Sequence, residues 1–97
     1  MAKGYVVVAA RRADHEALAR YRELSSQAVA EQGGRFLARG GRFAVLEGSW
    51  HPVRVVIVEF PSFEAARAFY ESETYRQARQ AREGLAEFDM LVVEGLD

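Results

Sequence analysis

The sequence contains no cysteine, a single lysine and no long apolar run. The absence of cysteine excludes disulfides, thiolate nucleophiles and zinc–thiolate sites, and it fits a protein of the reducing cytoplasm. The longest apolar run, residues 5–10, is far shorter than the ~20 residues that a membrane helix needs. Arg11 and Arg12 follow it at once, which does not fit a secretory signal. We therefore expect a cytoplasmic protein without a membrane partner.

An excess of charge of one sign is also lacking. The 97 residues have a formal net charge of −1, so no positive field favours a nucleic acid or an anionic membrane. Apolar residues make up 49% of the chain, which is typical of a globular protein. A chain of this length builds one modest core, and we expect residues 1–97 to form a single domain.

Apolar patterns and capping residues divide the chain into strands and helices. The β-branched run over 5–10 indicates a buried strand, Asp14 is a helix N-cap, and Gly33-Gly34 ends that helix. The predicted order is a strand over 5–10, a helix over 14–32, strands over 35–46 and 53–60, helices that begin at Ser62 and Ser72, and a strand over 88–93. This β-α-β-β-α-β order is typical of the ferredoxin-like α+β fold, whose antiparallel sheet carries the helices on one face.

The glycine pair Gly40-Gly41 interrupts the second predicted strand and allows two interpretations. It closes a two-residue hairpin turn, or it forms a bulge in one long strand whose hairpin turn lies at 47–50. We favour the bulge, because residues 35–46 can then pair with the whole of the next strand.

The predicted strands are apolar on both faces. In a sheet covered on one side only, apolar and polar residues alternate, but Val6, Val7 and Val8 follow one another, as do residues 55–58. Exposure of about six such side chains forfeits up to ~10 kcal/mol, which rivals the whole stability of a small domain. We therefore expect a second copy of the chain to cover the bare face, in a homodimer.

Several short motifs together identify a family. They are residues 33–41 (Gly-Gly-Arg-Phe-Leu-Ala-Arg-Gly-Gly), Glu47-Gly48, Trp50, Pro52, Arg54, residues 59–62, Tyr70, Ser72, Tyr75 and Glu94-Gly95. With these motifs the chain resembles the domain of unknown function 1330 family over nearly its whole length. The resemblance implies a dimeric α+β barrel and no assigned activity. Related barrel families include cofactor-free monooxygenases, lactone isomerases and haem-dependent enzymes. His15 and Leu18 stand where such sequences often have proline and tyrosine, so a pocket bordered by them differs from its relatives.

Arginines near the central hairpin are the main binding candidates. Arg54 lies on an otherwise apolar strand, and an arginine among valines needs a buried partner. A guanidinium binds carboxylate or phosphate in a bidentate manner, so we predict that Arg39 and Arg54 bind a ligand or a glutamate. For Arg35 and Arg42 we expect solvation or pairing with a glutamate.

Glu59 and His51 are the candidates for acid–base chemistry. Glu59 has apolar neighbours along its strand, which suits a general base, and the alternative is an ion pair with Arg54 or Arg39. His51 lies in or near a predicted turn, where solvation is the alternative to a role as base or ligand.

Trp50 and Tyr75 are aromatic residues that we expect to line a ligand site. The two histidines lack the spacing of a metal site, so we predict no metal and no cofactor. The sequence has no nucleophile elbow and no phosphate-binding glycine loop.

Together these features predict a small homodimeric protein that binds a small, partly apolar, anionic molecule in a cleft near the central hairpin. In that cleft Arg39 and Arg54 orient the anion, and Glu59 or His51 supplies any acid–base chemistry. One alternative, by analogy of fold, is a cofactor-independent monooxygenase or isomerase-like enzyme. Another is a structural dimer without a ligand site.

Overall fold

The computed structural model describes residues 1–97 as four strands and three helices. The strands are β1 (Gly4–Ala13), β2 (Arg35–Arg39), β3 (Arg54–Phe60) and β4 (Ala86–Glu94), and the helices are α1 (Ala19–Glu31), α2 (Phe63–Glu71) and α3 (Glu73–Ala81). A short 3₁₀ turn, Glu16–Leu18, precedes α1. No helix combines the length and the apolar character that crossing a membrane requires.

The strands form one antiparallel sheet in the order β2-β3-β1-β4. In the central strand β1, Tyr5 is opposite Glu59 of β3 on one side and Val93 of β4 on the other. This sheet order and the order of elements along the chain define the ferredoxin-like α+β fold. The fold predicted from the sequence is therefore confirmed, with β2 and β4 as the edge strands.

The helices cover one face of the sheet and leave the other bare. Because successive strand residues point to opposite faces, Val6 and Val8 of β1 and Val58 and Phe60 of β3 are buried together. The helices complete this core with Leu24, Ala28, Val29, Ala66, Phe69, Tyr75 and Ala78. The opposite face, here called the open face, presents Tyr5, Val7, Val55, Ile57, Leu91 and Val93. Both faces are apolar, as predicted.

Serine and aspartate side chains begin the helical segments. Ser62 Oγ accepts a hydrogen bond from the N–H of Ala65 at 3.0 Å, and Ser72 Oγ accepts one in the first turn of α3 at 3.1 Å. Both predicted N-caps are confirmed. Asp14 Oδ1 accepts from the N–H of Ala17 at 3.3 Å, so it holds the 3₁₀ turn in front of α1.

The predicted long second strand is wrong. β2 ends at Arg39 instead of Leu46, and β3 begins at Arg54. Gly40 has a φ of 77°, a left-handed conformation that glycine adopts at little cost and that turns the chain away from the sheet. Gly40-Gly41 is therefore neither a bulge within a long strand nor a two-residue hairpin turn. The irregularity of this ladder lies within β2 itself.

Residues 41–53, here called the arm, connect β2 to β3 without a helix or strand. The arm is held to the sheet where it begins and where it ends. The N–H of Gly40 donates to the carbonyl of Val55 at 3.1 Å, and the N–H of Val53 donates to the carbonyl of Ala10 at 2.8 Å. No other backbone hydrogen bond involves the arm. The arm therefore projects from the sheet between two fixed points.

Candidate functional site

A small cavity lies between the helices and the covered face of the sheet. Its volume is about 60 Å³, and 14 of its 19 lining residues are hydrophobic. The sheet contributes Val6, Val8, Phe36, Val56, Val58, Phe88 and Met90, and the helical layer contributes Leu18, Tyr21, Val29, Phe69 and Tyr75. The alternation that builds the core thus also supplies the apolar walls of this cavity.

Two tyrosine hydroxyls meet inside the cavity. The Oη atoms of Tyr21 in α1 and Tyr75 in α3 are 2.7 Å apart, and Tyr75 Oη also donates to Met90 Sδ at 3.6 Å. Burial raises the pKa of both phenols, so both are neutral at physiological pH. They form a polar, uncharged spot in a mainly apolar wall. Tyr75 was a predicted site residue, and the structure places it on the cavity.

Arg39 and Arg54 bring positive charge to the same cavity. Arg39, the last residue of β2, lies over the ring of Phe36, with 3.9 Å between the guanidinium carbon and the ring centroid. Its Nη2 donates to the carbonyl oxygen of Arg22 at 3.3 Å. The guanidinium of Arg54, the first residue of β3, packs against Gly40 so closely that a Cβ there would overlap it.

Neither guanidinium has an acidic partner. Arg39 and Arg54 take part in none of the ion pairs of the chain. The hydrogen bonds of Arg39 go to neutral oxygens, the carbonyl of Arg22 and the hydroxyl of Ser25. Desolvation lowers the pKa of Arg39, and the positive charges of Arg54 and Arg22 lower it further. An anion placed between these guanidinium groups would relieve that repulsion.

Two further nitrogen-bearing side chains, Arg22 and His15, line the cavity. Arg22 Nη1 donates to the carbonyl oxygen of His15 at 2.7 Å, which ties α1 to the segment before it. No aspartate, glutamate or lysine is among the lining residues. Sequence reasoning missed Arg22, because an arginine on a helix is usually exposed and no motif marks this one. His15 was noted only as a departure from the family pattern.

Glu59 does not belong to this cavity. Its side chain lies on the open face, where it is 14% exposed and pairs with Arg35 Nε at 3.0 Å. Tyr5 Oη donates to it at 3.4 Å, and Lys3 Nζ is 3.9 Å away. Arg35 is therefore the partner of Glu59, in place of Arg39 or Arg54. Glu59 is not part of a metal cluster either, since no group of three or more histidine, aspartate or glutamate side chains could hold a metal ion.

Trp50 and His51 also lie away from the cavity. Both belong to the arm and are exposed, and neither is among the lining residues. Of the six predicted site residues, the cavity brings together Arg39, Arg54 and Tyr75. The result is a small apolar chamber with guanidinium groups and neutral hydroxyls but no carboxylate.

Comparisons with known proteins identify the fold and the family. The structure is similar to the RPA0582 protein of unknown function from Rhodopseudomonas palustris, with a TM-score of 0.74, 24% identity, and coverage of 99% of this chain and 84% of that one. A conserved protein of unknown function from Bacteroides thetaiotaomicron, described as a possible oxidoreductase, gives a TM-score of 0.59 at 18% identity, over 96% of this chain and 97% of that one. SnoaB, a cofactor-independent oxygenase from Streptomyces nogalater, gives 0.54 at 11% identity, over 99% and 93%. At these identities the likeness concerns the fold.

The search of curated proteins found no match. The family model described as "Domain of unknown function (DUF1330)" matches residues 3–96, nearly the whole chain. The resemblance inferred from the short motifs is thereby confirmed, and the chain belongs to the DUF1330 family.

Proposed function

We propose that the chain is a cytoplasmic homodimeric protein that binds a small, partly apolar, anionic molecule in the cavity between its sheet and helices. Arg39 and Arg54 hold the anionic group, and Tyr75, with Tyr21, contacts the other end. The observation that carries this proposal is that both guanidinium groups line an apolar cavity without a carboxylate partner. The lack of cysteine supports the cytoplasmic location.

The cavity limits the size of the ligand. A single water needs ~10–15 Å³ of such space, so the volume of about 60 Å³ accommodates an apolar body of roughly five non-hydrogen atoms. The anionic group then lies outside this body, at the guanidinium groups. A short-chain carboxylate has this shape, with an alkyl end in the chamber and a charged end at Arg39 and Arg54.

The surroundings of the arginines favour a carboxylate over a neutral group. A carboxylate accepts two parallel hydrogen bonds from one guanidinium, and such charge-assisted bonds are roughly twice as strong as neutral ones. Stacking of Arg39 on Phe36 keeps one face of its guanidinium away from water and fixes its orientation. A ligand therefore finds donors that are already partly desolvated and positioned.

The cavity supports binding better than catalysis. A cofactor-independent oxygenase or isomerase needs a group that accepts a proton. The predicted base Glu59 lies on the other face of the sheet, and His15, the one imidazole in the lining, belongs to the exposed turn before α1. The hydroxyls of Tyr21 and Tyr75 stay protonated, since burial raises the pKa of each. Likeness of fold to SnoaB at 11% identity assigns no base to this cavity.

The open face supports the homodimer. Val55 and Ile57 of β3 lie there on one side of β1, and Leu91 and Val93 of β4 lie on the other, with no helix of the same chain over them. Contact with a second copy would bury this face in a two-fold arrangement, the commonest symmetry of small oligomers.

Binding of pentanoate, followed by calorimetry and by amide chemical shifts, tests the ligand site. Pentanamide, its neutral isostere, is the control ligand. We expect pentanoate to bind at least ~10-fold more tightly than pentanamide, because one charge-assisted pair contributes ~1.5–3 kcal/mol. Equal binding of the two, or no binding of either, would contradict the proposal.

Matched arginine variants locate the site. Arg54→Met keeps the apolar stem but removes the charge, and we expect it to weaken pentanoate binding ~10-fold or more. Arg20→Met makes the same change on an arginine of α1 that is outside the cavity lining, and it should leave binding unchanged. A similar loss in both variants would point to net charge instead of a site.

A further inference from the structure

The arm is the largest part of the chain that the proposed ligand site does not use. Residues 41–51 are exposed. Apart from the bond between Val53 and Ala10, the backbone of the arm forms no hydrogen bond. A folded chain makes about one intramolecular hydrogen bond per residue, so about a dozen are missing here. The arm nevertheless contains an uninterrupted apolar run, residues 43–46, and the only tryptophan, Trp50. An exposed apolar run of this kind marks an interaction surface.

Both ends of the arm are fixed, which limits what it can contact. Gly40 and Val53 are hydrogen-bonded to the sheet, whereas a Cβ added at Gly41 or at Gly48 would meet no atom within 4 Å. The arm thus has open space beside both of its glycines. Residues 41–51 are exposed, so another molecule can cover the apolar surface that the chain itself leaves open.

We propose that the arm of one copy packs on the second copy at the border of the open face, so that two arms clasp the homodimer. This contact rests on the homodimer proposed above and adds to it a second, separate surface. The same chain carries both unpartnered apolar surfaces, the arm and the open face. In a two-fold dimer the two open faces pack on each other and each arm packs on its partner at their border, in one closed, self-complementary contact.

The area of the open face supports this arrangement. Four strands at a spacing of ~4.8 Å, each about seven residues long at ~3.3 Å per residue, present roughly 450 Å². A standard stable interface takes about 800 Å² of accessible surface from each partner, and the flat area of the open face is smaller than this. Taken as two extended segments of about six residues each, the arm has an area of roughly 200 Å². It covers a similar area on the partner copy. With the arms included, the interface reaches the size of a stable dimer.

Sedimentation velocity over a range of concentrations tests the clasp, with the full chain and two variants. Phe43→Glu combined with Val45→Glu places charge on the arm at side chains that are 46% and 43% exposed. We expect at least about a 100-fold rise in the dissociation constant, since the dimer has two arms and each apolar side chain contributes to burial. Circular dichroism should show that the two substitutions leave the fold of the monomer unchanged. The control is Leu96→Glu, which changes an equally apolar, exposed residue outside the arm.

Emission of Trp50 gives an independent reading, because it is the only tryptophan and lies on the arm. On concentration of the wild type, the emission maximum should shift to shorter wavelength along the same curve as dimer formation. An unchanged dissociation constant in the arm variant would overturn the clasp but leave the homodimer in place. A wild-type chain that stays monomeric at 100 µM would overturn both, whatever the outcome of the pentanoate titration. A Trp50 spectrum that stays that of an exposed indole in the dimer would also overturn the clasp.

Discussion

The hydrogen bond between Tyr21 and Tyr75 can be removed from either side or from both. Tyr75→Phe leaves the ring in place but deprives Tyr21 Oη of its partner at 2.7 Å. Tyr21→Phe leaves Tyr75 Oη with only the weak acceptor Met90 Sδ at 3.6 Å. A buried polar group without its partner costs ~1–3 kcal/mol, whereas replacing both partners by apolar groups of the same shape is nearly neutral.

These values predict that the losses in free energy of unfolding of the two single variants do not add up in the double variant. We expect each single variant to lower the free energy of unfolding by ~1–2 kcal/mol and the double variant by ~1 kcal/mol or less. The coupling energy between the two sites is then at least ~1 kcal/mol, well above the ~0.3–0.5 kcal/mol within which independent sites add. Urea denaturation of the wild type and the three variants measures it, at one protein concentration because the proposed dimerisation would shift apparent stability. Costs that add within that margin would refute the reasoning.

The dependence of stability on alkaline pH provides a second test of the same tyrosine pair. Burial raises the pKa of Tyr21 and of Tyr75 above the ordinary value of 10.0, so above that pH the folded chain holds protons that the unfolded chain has lost. The free energy of unfolding therefore falls as pH rises above ~10, by up to ~1.4 kcal/mol per pH unit for each group. The double variant lacks this contribution. Its stability relative to the wild type should be constant below pH 10 and improve above it, and a constant difference throughout would contradict the assignment.

Two further predictions concern other parts of the molecule. A Cβ at Gly4 would lie 2.7 Å from the carbonyl carbon of Ser62, so Gly4→Ala should lower the free energy of unfolding by about 3 kcal/mol. Gly41→Ala, which meets nothing within 4 Å, should leave urea denaturation nearly unchanged, and similar effects of the two would contradict the packing at β1. Hydrogen bonds from Arg76 lower the pKa of Glu73 to about 2. Its contribution to stability is present above pH ~4.5 and is lost as pH falls toward 2, and an NMR titration should show a higher Glu73 pKa in Arg76→Ala.

The fold could be predicted from the sequence because its signals are local. Ser62 and Ser72 both cap helices, and the β-branched runs form β1 and β3. The arm could not be predicted in this way. Residues 42–46 have the composition of a strand, but a strand also needs a neighbour, and the turn of the chain at Gly40 removes these residues from the sheet.

The candidate site could be predicted in part. Arg54 among apolar residues does indicate a special environment, and the cavity includes it. The expected pairing with Glu59 fails for a simple reason. Positions 54 and 59 of β3 are an odd number of residues apart, so the alternation of the strand sends their side chains to opposite faces. Arg39 lies on the same face of the sheet as Arg54 because the irregularity within β2 shifts its register with β3. The sequence carries no signal for this irregularity.

The contact between Arg54 and Gly40 connects the cavity to the arm. Gly40 is the last residue before the arm, and the guanidinium of Arg54 packs directly on it. The proposed ligand contacts Arg54 and the proposed clasp holds the arm that follows Gly40, so both would act on the same pair of residues. Thermodynamic reciprocity sets the consequence: any factor by which assembly of two copies tightens binding of an anion is also the factor by which that anion tightens the assembly.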